Sequence, residues 1–434
     1  MLNKQIFRLA APNIISNISV PLLGMIDTAL MGHLESETYL GAIAIGGIIF
    51  SFLYMGVSFL RAGTTGMTAQ AFGREDEEEA GLIFWRAIVL ALLLGFVFLL
   101  AQSLIGLISF SLIEGTEEVK ALAKEYYYIR IYAAPAAISL YVFNGWFLGM
   151  QNARYPLYLT VWVSVLNIGF NLLFLYGFGM KSDGVAWGTV CAQYGGLLLA
   201  IGLWRYRFQR ITRYWDWAKV IDIQGLKRFF SVNSDIFIRT ICLIFSLAFF
   251  TSKSSSFGDT VLAANQILLQ YFYLLSYGID GFAFAAESLV GRYWGEGNWG
   301  MIRRLIRRLL LWGLMGGLFF SLLYLFIGQS MLQLFTVHED VIELATVYML
   351  WLIPISMLGS FAFIWDGVYM GATLTAPMRN MMILATFGVF LPSFYLGFPY
   401  LGNHALWLSM SLFMLLRWGY LHLWFRYKGG LLMK

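Results

Sequence analysis

Charged residues are scarce in this chain. Only 12% of its 434 residues are Asp, Glu, Lys or Arg, whereas 59% are hydrophobic. About a quarter of the residues of a soluble globular protein are charged, so this composition excludes an ordinary soluble domain. It predicts an all-α polytopic membrane protein that has the lipid bilayer as a partner.

Cysteine and histidine are also scarce, and familiar catalytic motifs are missing. Cys191 and Cys242 both lie in apolar runs, which does not indicate a disulfide framework. The four histidines form no His-x-x-x-His or His–Cys pair for a metal, and there is no GxxxxGK[ST] phosphate-binding loop. We therefore predict that the chain is not an enzyme, needs no cofactor and binds no metal beyond a possible sodium ion. The net charge of +5 requires no nucleic-acid partner.

Long apolar runs, in contrast, are abundant. A membrane-spanning helix needs roughly 20 apolar residues, and the chain contains twelve such runs. Their approximate bounds are 8–32, 39–72, 82–113, 123–150, 157–179, 185–204, 229–253, 260–294, 304–328, 341–371, 380–398 and 404–424.

The basic residues predict the orientation of these spans. With the N-terminus inside, 22 of the 29 Lys and Arg residues fall on the inner side and five on the outer side. Two more, Arg61 and Arg239, fall within spans. Because basic loops stay in the cytoplasm, we expect a multi-pass protein of the bacterial plasma membrane with both termini cytoplasmic.

The chain also repeats itself. The stretch that begins at Glu37 aligns without a gap with the stretch that begins at Asp259, 222 residues further along. Gly56 meets Gly278 and Gly73 meets Gly295. "FNGWFLGMQNARYP" (143–156) and "WDGVYMGATLTAP" (365–377) align at the same offset. Six spans per repeat is an even number, so the repeats are parallel and related by a pseudo-two-fold axis along the membrane normal. This predicts two six-helix lobes, 1–204 and 229–434.

The joint between the lobes, 205–228, is basic and aromatic. It is predicted to be a cytoplasmic connecting segment, either a helix lying on the membrane surface or a plain linker.

Ionisable residues within the spans mark candidate functional positions, because burying such groups in a bilayer is costly. Five acids fall there: Asp27, Asp235, Asp280, Glu287 and Asp366. Asp235 and Arg239 are four residues apart, so they are able to pair on one helix face. The repeat places Glu287 one turn beyond the position equivalent to Arg61. We therefore predict an inner gate in which Arg61 pairs with Glu287 or Asp280.

Five stretches resemble the multidrug and toxic compound extrusion (MATE) family, and its DinF-like branch most: "IDTALMGHL", "FLRAGTTGMTAQAFGRED", "IDGFAFAAESLVGRYWGEGN", "DGVYMGATLTAPMRN" and "LGNHALWL". The resemblance runs from the first span to the last. It implies two six-helix lobes and a monomer.

The resemblance also implies roles for particular residues. Asp27 matches an aspartate of the first helix that is implicated in cation coupling. Asn167 and Asn171, four apart on one helix face, match the family's fifth helix, where close relatives often have an aspartate at the second position. Asp235 and Asp366 resemble acids that bind sodium in some relatives. The alternative for these two is a structural network of ion pairs with Arg239.

The resemblance implies a secondary active antiporter that works by alternating access. It would export amphipathic, often cationic small molecules in exchange for protons or sodium. In this interpretation proton binding at Asp27 competes with substrate binding, and the competition is reciprocal. The alternative function is a flippase for lipid-linked saccharide precursors. A flippase would need several cations to hold a diphosphate, and the spans contain more acids than basic residues.

Overall fold

The computed structural model describes residues 2–32, 37–113, 116–211, 214 and 216–429. Within these ranges, the side chains of Val20, residues 22–32, Glu37 and Gly429 lie outside the description. The described residues are mostly helical, and none of them lies in a β-strand.

The N-terminal half contains helices α1 to α9. They are α1 (Leu2–Gly32), α2 (Glu37–Val57), α3 (Phe59–Gly73), α4 (Glu77–Leu100), α5 (Gln102–Leu112), α6 (Glu117–Arg130), α7 (Ala134–Gly149), α8 (Arg154–Leu172) and α9 (Ser182–Arg207). A 3-10 turn, Ile131–Ala133, joins α6 to α7, and a π-helical turn, Leu173–Gly177, follows α8.

The C-terminal half contains helices α10 to α18. They are α10 (Trp217–Val220), α11 (Ile223–Ser255), α12 (Asp259–Gly295), α13 (Trp299–Leu332), α14 (Glu339–Met349), α15 (Leu352–Gly371), α16 (Thr375–Ile383), α17 (Leu391–Leu401) and α18 (His404–Trp424). The π-helical stretches Leu384–Phe390 and Phe425–Gly429 follow α16 and α18.

The twelve predicted spans all coincide with helices. Among the described residues, ten helical segments are long and apolar enough to cross a membrane. Helix α1, with 31 residues, and helix α18, with 21, correspond to the first and last spans. Each is long enough to cross the hydrocarbon core, which takes roughly 20 helical residues. The prediction of a twelve-span all-α membrane protein is therefore confirmed.

The internal repeat extends to the helix boundaries. Helices α2 and α3 together cover 37–73, and α12 covers 259–295, so both bounds shift by 222 residues. The turns that follow share a left-handed backbone, because Glu75 and Gly297, which are equivalent, have φ of 58° and 67°. The next helices begin with equivalent caps, in which Asp76 accepts from the Glu79 amide and Asn298 from the Met301 amide.

Close helix packing is repeated as well. Helix α7 packs on α3 through Gly145, whose Cα faces the Arg61 carbonyl oxygen. Helix α15 packs on α12 in the same way, with Gly367 against the Ala283 carbonyl. A side chain at either glycine would overlap the facing backbone, so glycine sets how closely the two helices approach.

The chain divides into two compact units. The N-terminal unit is Ile15–Phe230, and the C-terminal unit is Met1–Ile14 with Ser231–Lys434. The first turns of α1 therefore belong with the C-terminal unit, and the first turns of α11 with the N-terminal unit. The sequence alone placed the lobe boundaries at 204 and 229.

The predicted connecting segment 205–228 is partly helical. Helix α9 continues to Arg207, α11 begins at Ile223, and between them α10 is a single turn of four residues. Arg86 of α4 holds this segment, because its guanidinium donates to the carbonyl oxygens of Val220 (3.1 Å) and Lys219 (2.8 Å).

Candidate functional site

The N-terminal unit contains a buried polar cluster of two amides and a hydroxyl. The Asn171 amide donates to Asn167 Oδ1, and the Asn167 amide donates to the Thr189 hydroxyl, both at 3.1 Å. Thr189 donates in turn to the Val185 carbonyl at 3.0 Å. Three side chains of α8 and α9 thus form a directional chain of hydrogen bonds, and such bonds are strengthened in a low-dielectric interior.

Local packing holds Asn171 in place. Gly188 of α9 lies against the Asn171 side chain, and a Cβ at this position would overlap Asn171 Oδ1. The π-helical turn that begins at Leu173 follows directly. Turns of this kind occur frequently at functional sites. The structure thus brings Asn167 and Asn171 together, as their spacing predicts. The backbone of Asp27 lies in α1, but its side chain is outside the described residues.

The C-terminal unit buries an acid between two arginines. Asp366 Oδ2 accepts hydrogen bonds from the Nη2 atoms of Arg239 and of Arg417, the latter at 2.6 Å. Arg417 is fully buried, and its guanidinium lies over the rings of Phe363 and Phe413 at 5.5 and 5.3 Å. Two cations therefore share one carboxylate oxygen, and the charge of Asp366 is already compensated by protein.

Asp235 is also held by an arginine, but not by the one predicted. Arg379 donates to its Oδ1 at 2.6 Å, and the Thr375 hydroxyl donates to its Oδ2 at 2.8 Å. The expected pairing of Asp235 with Arg239 along α11 is therefore not the one in the structure. Asp235 instead pairs with Arg379 of α16, and Arg239 pairs with Asp366 of α15.

The residues of the predicted inner gate lie on α3 and α12. Arg61 is half-buried, and its carbonyl oxygen accepts from the Thr65 hydroxyl at 2.9 Å. Asp280 accepts from the Ser276 hydroxyl at 3.1 Å. Glu287 is buried, and its carbonyl oxygen faces Gly371. Pairing of Arg61 with Glu287 or Asp280 stays a prediction.

Sequence reasoning missed Arg417, Arg379 and Thr189 as partners. Arg417 is one of the 22 basic residues that the predicted orientation places on the inner side, although apolar neighbours surround it in "MLLRWGYL" within the last span. That position was an available signal of burial. Thr189 and Arg379 carried no such signal, since neither lies near its partner in the chain.

The sequence model described as MatE matches this chain at residues 12–173 and again at 236–396, once in each repeat. The chain is 34% identical over 415 residues to DNA damage-inducible protein F of Escherichia coli (strain K12), which covers 96% of the chain and 90% of that protein. It is 25% identical to a probable multidrug resistance protein NorM of Acinetobacter baylyi, over 80% of the chain and 78% of that protein.

Solved structures share the whole fold. A MOP superfamily transporter from Pyrococcus furiosus superposes with a TM-score of 0.89 at 20% identity, covering 100% of this chain and 97% of the other. A Vibrio cholerae MATE transporter superposes with a TM-score of 0.86 at 19% identity, covering 100% and 98%. The family match and the DinF similarity together identify the chain as a member of the MatE family, the multidrug and toxic compound extrusion transporters, and therefore as a transporter rather than an enzyme.

Proposed function

We propose that this protein is a proton-coupled antiporter that exports amphipathic, often cationic compounds across the bacterial cytoplasmic membrane. It would act as a monomer with both termini in the cytoplasm. Asp27 is the proposed coupling group, and Asn167 and Asn171 are its proposed neutral partners. Sodium coupling is the alternative that the experiment below separates from this one.

The main support for the proposal is that the acids of the C-terminal unit already have protein partners. Asp366 bonds to two arginines, and both oxygens of Asp235 are engaged by Arg379 and Thr375. A sodium ion at Asp366 would be repelled by the two guanidinium groups bonded to that carboxylate. A sodium ion at Asp235 would have to displace Arg379 or Thr375, and both exchanges are unfavourable. Coupling through the N-terminal unit avoids that cost.

The polar cluster of the N-terminal unit supports the same assignment. Asn167, Asn171 and Thr189 are neutral at every physiological pH and bring no cation of their own. A carboxylate beside them would lack a fixed counter-charge, so it could exchange a proton or an organic cation. If the protonated acid binds a cationic substrate weakly, proton and substrate are negatively coupled. Each ligand then biases the conformational populations in its own direction.

Efflux is favoured over lipid flipping. The Acinetobacter relative carries the name of a probable multidrug resistance protein, and a 25% identical Arabidopsis thaliana relative is named Protein DETOXIFICATION 44, chloroplastic. Arg417, which is buried, and Arg239, which is partly buried, are both bonded to Asp366 and so are not free to hold a diphosphate.

Purified protein in vesicles tests the proposal through uptake of a fluorescent cationic dye. The parent protein, Asp27→Asn and the control Asp259→Asn are compared under separately imposed pH and sodium gradients. Asp259 is an exposed acid at the start of α12. We expect a pH gradient to drive uptake in the parent and the control but not in Asp27→Asn. Uphill dye movement by Asp27→Asn would overturn the assignment of Asp27, and uptake driven by sodium alone would overturn proton coupling.

A further inference from the structure

A basic groove of about 820 Å³ lies between the first turns of α1 and α13, within the C-terminal unit. Arg304, Arg307 and Arg308 line its α13 side. Leu2, Asn3 and Gln5 line its α1 side. Arg307 and Arg308 lie three and four residues after Arg304, so all three share one face of α13 and line the groove beside α1.

Aromatic packing fixes the two walls of this basic groove. The Phe7 ring of α1 meets Trp312 edge-on at 4.6 Å and Phe282 at 5.7 Å between centroids. The Tyr293 hydroxyl donates to Gln5 Oε1 at 2.8 Å. The walls of the groove are therefore two packed helices and not a loop.

The positive charge of the basic groove is not compensated by described protein groups. None of its lining residues is an acid, and among the described residues none of the three arginines forms an ion pair. The one hydrogen bond recorded for them runs from Arg304 Nε to the carbonyl of Gly300 in its own helix, at 3.3 Å. Guanidinium groups have a planar fork of donors that matches phosphate oxygens.

The repeat supplies an internal comparison, because the position equivalent to Arg308 in the N-terminal unit is Arg86. There the connecting segment provides the acceptors, the carbonyls of Lys219 and Val220, and Glu79 lies 3.6 Å from the guanidinium. Gly225 packs directly against that guanidinium and fills the equivalent space.

The basic groove in the C-terminal unit differs at each of these places. Met301 replaces Glu79, and Arg304 and Arg307 replace Leu82 and Trp85. One copy of the repeat thus has a single arginine that bonds to two protein carbonyls and lies beside an acid, whereas the other has three arginines around an open groove.

We propose that this basic groove binds the headgroup of an anionic phospholipid. Its phosphate would accept from Arg304, Arg307 and Arg308, at the end of α13 that the positive-inside pattern places at the cytoplasmic leaflet. The acyl chains would lie along the apolar surface of α13 that continues from Leu311, where Leu314, Met315 and Leu318 are exposed. Basic pockets between spanning helices on this side of a membrane are suited to anionic lipid headgroups. The bound lipid would bridge α1 and α13.

Native mass spectrometry of the detergent-purified full-length protein tests this proposal. The protein is titrated with phosphatidylglycerol and with phosphatidylcholine of the same acyl chains, each with and without excess inorganic phosphate. We expect phosphatidylglycerol to be retained about tenfold better than phosphatidylcholine, with no displacement by phosphate. Equal retention of the two lipids would overturn the proposal without any variant. Displacement by phosphate would show a site for the free anion and would also overturn it.

Charge-matched variants locate the site. The test variant is Arg304→Gln/Arg307→Gln/Arg308→Gln, and the control is Arg207→Gln/Arg210→Gln/Arg303→Gln. The control removes three exposed arginines from the same predicted membrane side, one of them on α13 itself. We expect the test variant to lose the preference for phosphatidylglycerol and the control to keep at least about half of it. Equal loss in both would show a diffuse surface charge instead of a site. The lipid comparison in the parent protein needs neither variant to fold.

Discussion

At the scale of single residues, the acids of the C-terminal unit differ in how far their pairs are from water. Asp366 and Arg417 are almost completely buried, with side-chain exposures of 6% and 0%. Asp235 is similarly buried, but its partner Arg379 has a side-chain exposure of 33%. When an acid is neutralised, an exposed guanidinium recovers hydration, and a buried one does not.

This difference predicts unequal losses of stability. Asp366→Asn should lower the free energy of unfolding by about 3–5 kcal/mol, because it leaves the buried guanidinium of Arg417 and the partly buried one of Arg239 without a carboxylate. Asp235→Asn should cost clearly less, since Arg379 is able to turn toward solvent. Thermal unfolding in detergent measures both, and an equal or reversed order would contradict the burial argument.

The polar cluster of the N-terminal unit predicts a smaller effect at Thr189. Thr189→Val keeps the shape of the side chain but removes the acceptor of the Asn167 amide, which is buried. The expected loss in the free energy of unfolding is about 1–3 kcal/mol. The matched control is Thr160→Val on α8, because the Thr160 hydroxyl bonds within its own helix, to the Pro156 carbonyl. Similar melting temperatures for the two variants would show that the Asn167–Thr189 bond adds nothing.

At the scale of elements, glycines determine the spacing of the central helix pairs. Gly145→Ala would push a methyl group into the Arg61 carbonyl, and Gly367→Ala would push one into the Ala283 carbonyl. Since backbone is unable to move aside as a side chain does, each should cost about 1–3 kcal/mol. Gly169→Ala and Gly419→Ala are the controls, because a Cβ there meets nothing within 4 Å. Thermal unfolding measures the stability of all four variants. A loss of stability in the two controls equal to that in Gly145→Ala and Gly367→Ala would count against the packing argument.

The connecting segment gives a second prediction at this scale. Arg86→Met removes both donors to Lys219 and Val220 and should make residues 208–222 more sensitive to limited proteolysis at pH 7 to 8. Lys219→Ala is the control, because it removes only the exposed pair with Glu78, whose nitrogen–oxygen distance is 2.5 Å. Faster cleavage in the control than in Arg86→Met would contradict the role of Arg86.

The Lys219–Glu78 pair itself persists under those conditions. The hydrogen bond and charge of Glu78 raise the pKa of Lys219. Because this pKa is raised, the pair contributes fully to folding stability below the pKa of an unfolded lysine, about 10.4. The contribution is lost as the pH rises through the pKa of Lys219 in the folded protein. The comparison at pH 7 to 8 therefore measures Arg86 against an intact ion pair.

At the scale of the whole molecule, the duplicated architecture suits alternating access. Charge reversal at the predicted inner gate tests this mechanism. Arg61→Glu and Glu287→Arg should each abolish dye transport, and the double reversal should restore a measurable part of it, because opposite charges are present again. Asp280→Arg with Arg61→Glu is the parallel test. Failure of both double variants to recover transport, with normal membrane expression, would exclude such a gate.

Most of the fold was predictable from the sequence. Twelve apolar runs and a constant offset of 222 residues indicated twelve helices and a duplication, because bilayer thickness sets the length of a span and a duplicated gene preserves register. The DinF-like motifs indicated the family, which the comparisons confirm. The helix ends were predicted less accurately, since caps and water-exposed turns extend α11 and α13 beyond their apolar runs.

The partners of the charged side chains were decided only by tertiary structure. Asp235 and Arg239 are one helical turn apart, yet Arg379 and Asp366 on other helices take their places as partners. Hydrophobic length and repeat are properties of a segment, so the chain alone determines them. An ion pair between two helices depends on how each helix is rotated about its axis and how far apart the helices lie. Close contacts such as Gly367 against Ala283 set both quantities, and no local sequence pattern encodes them.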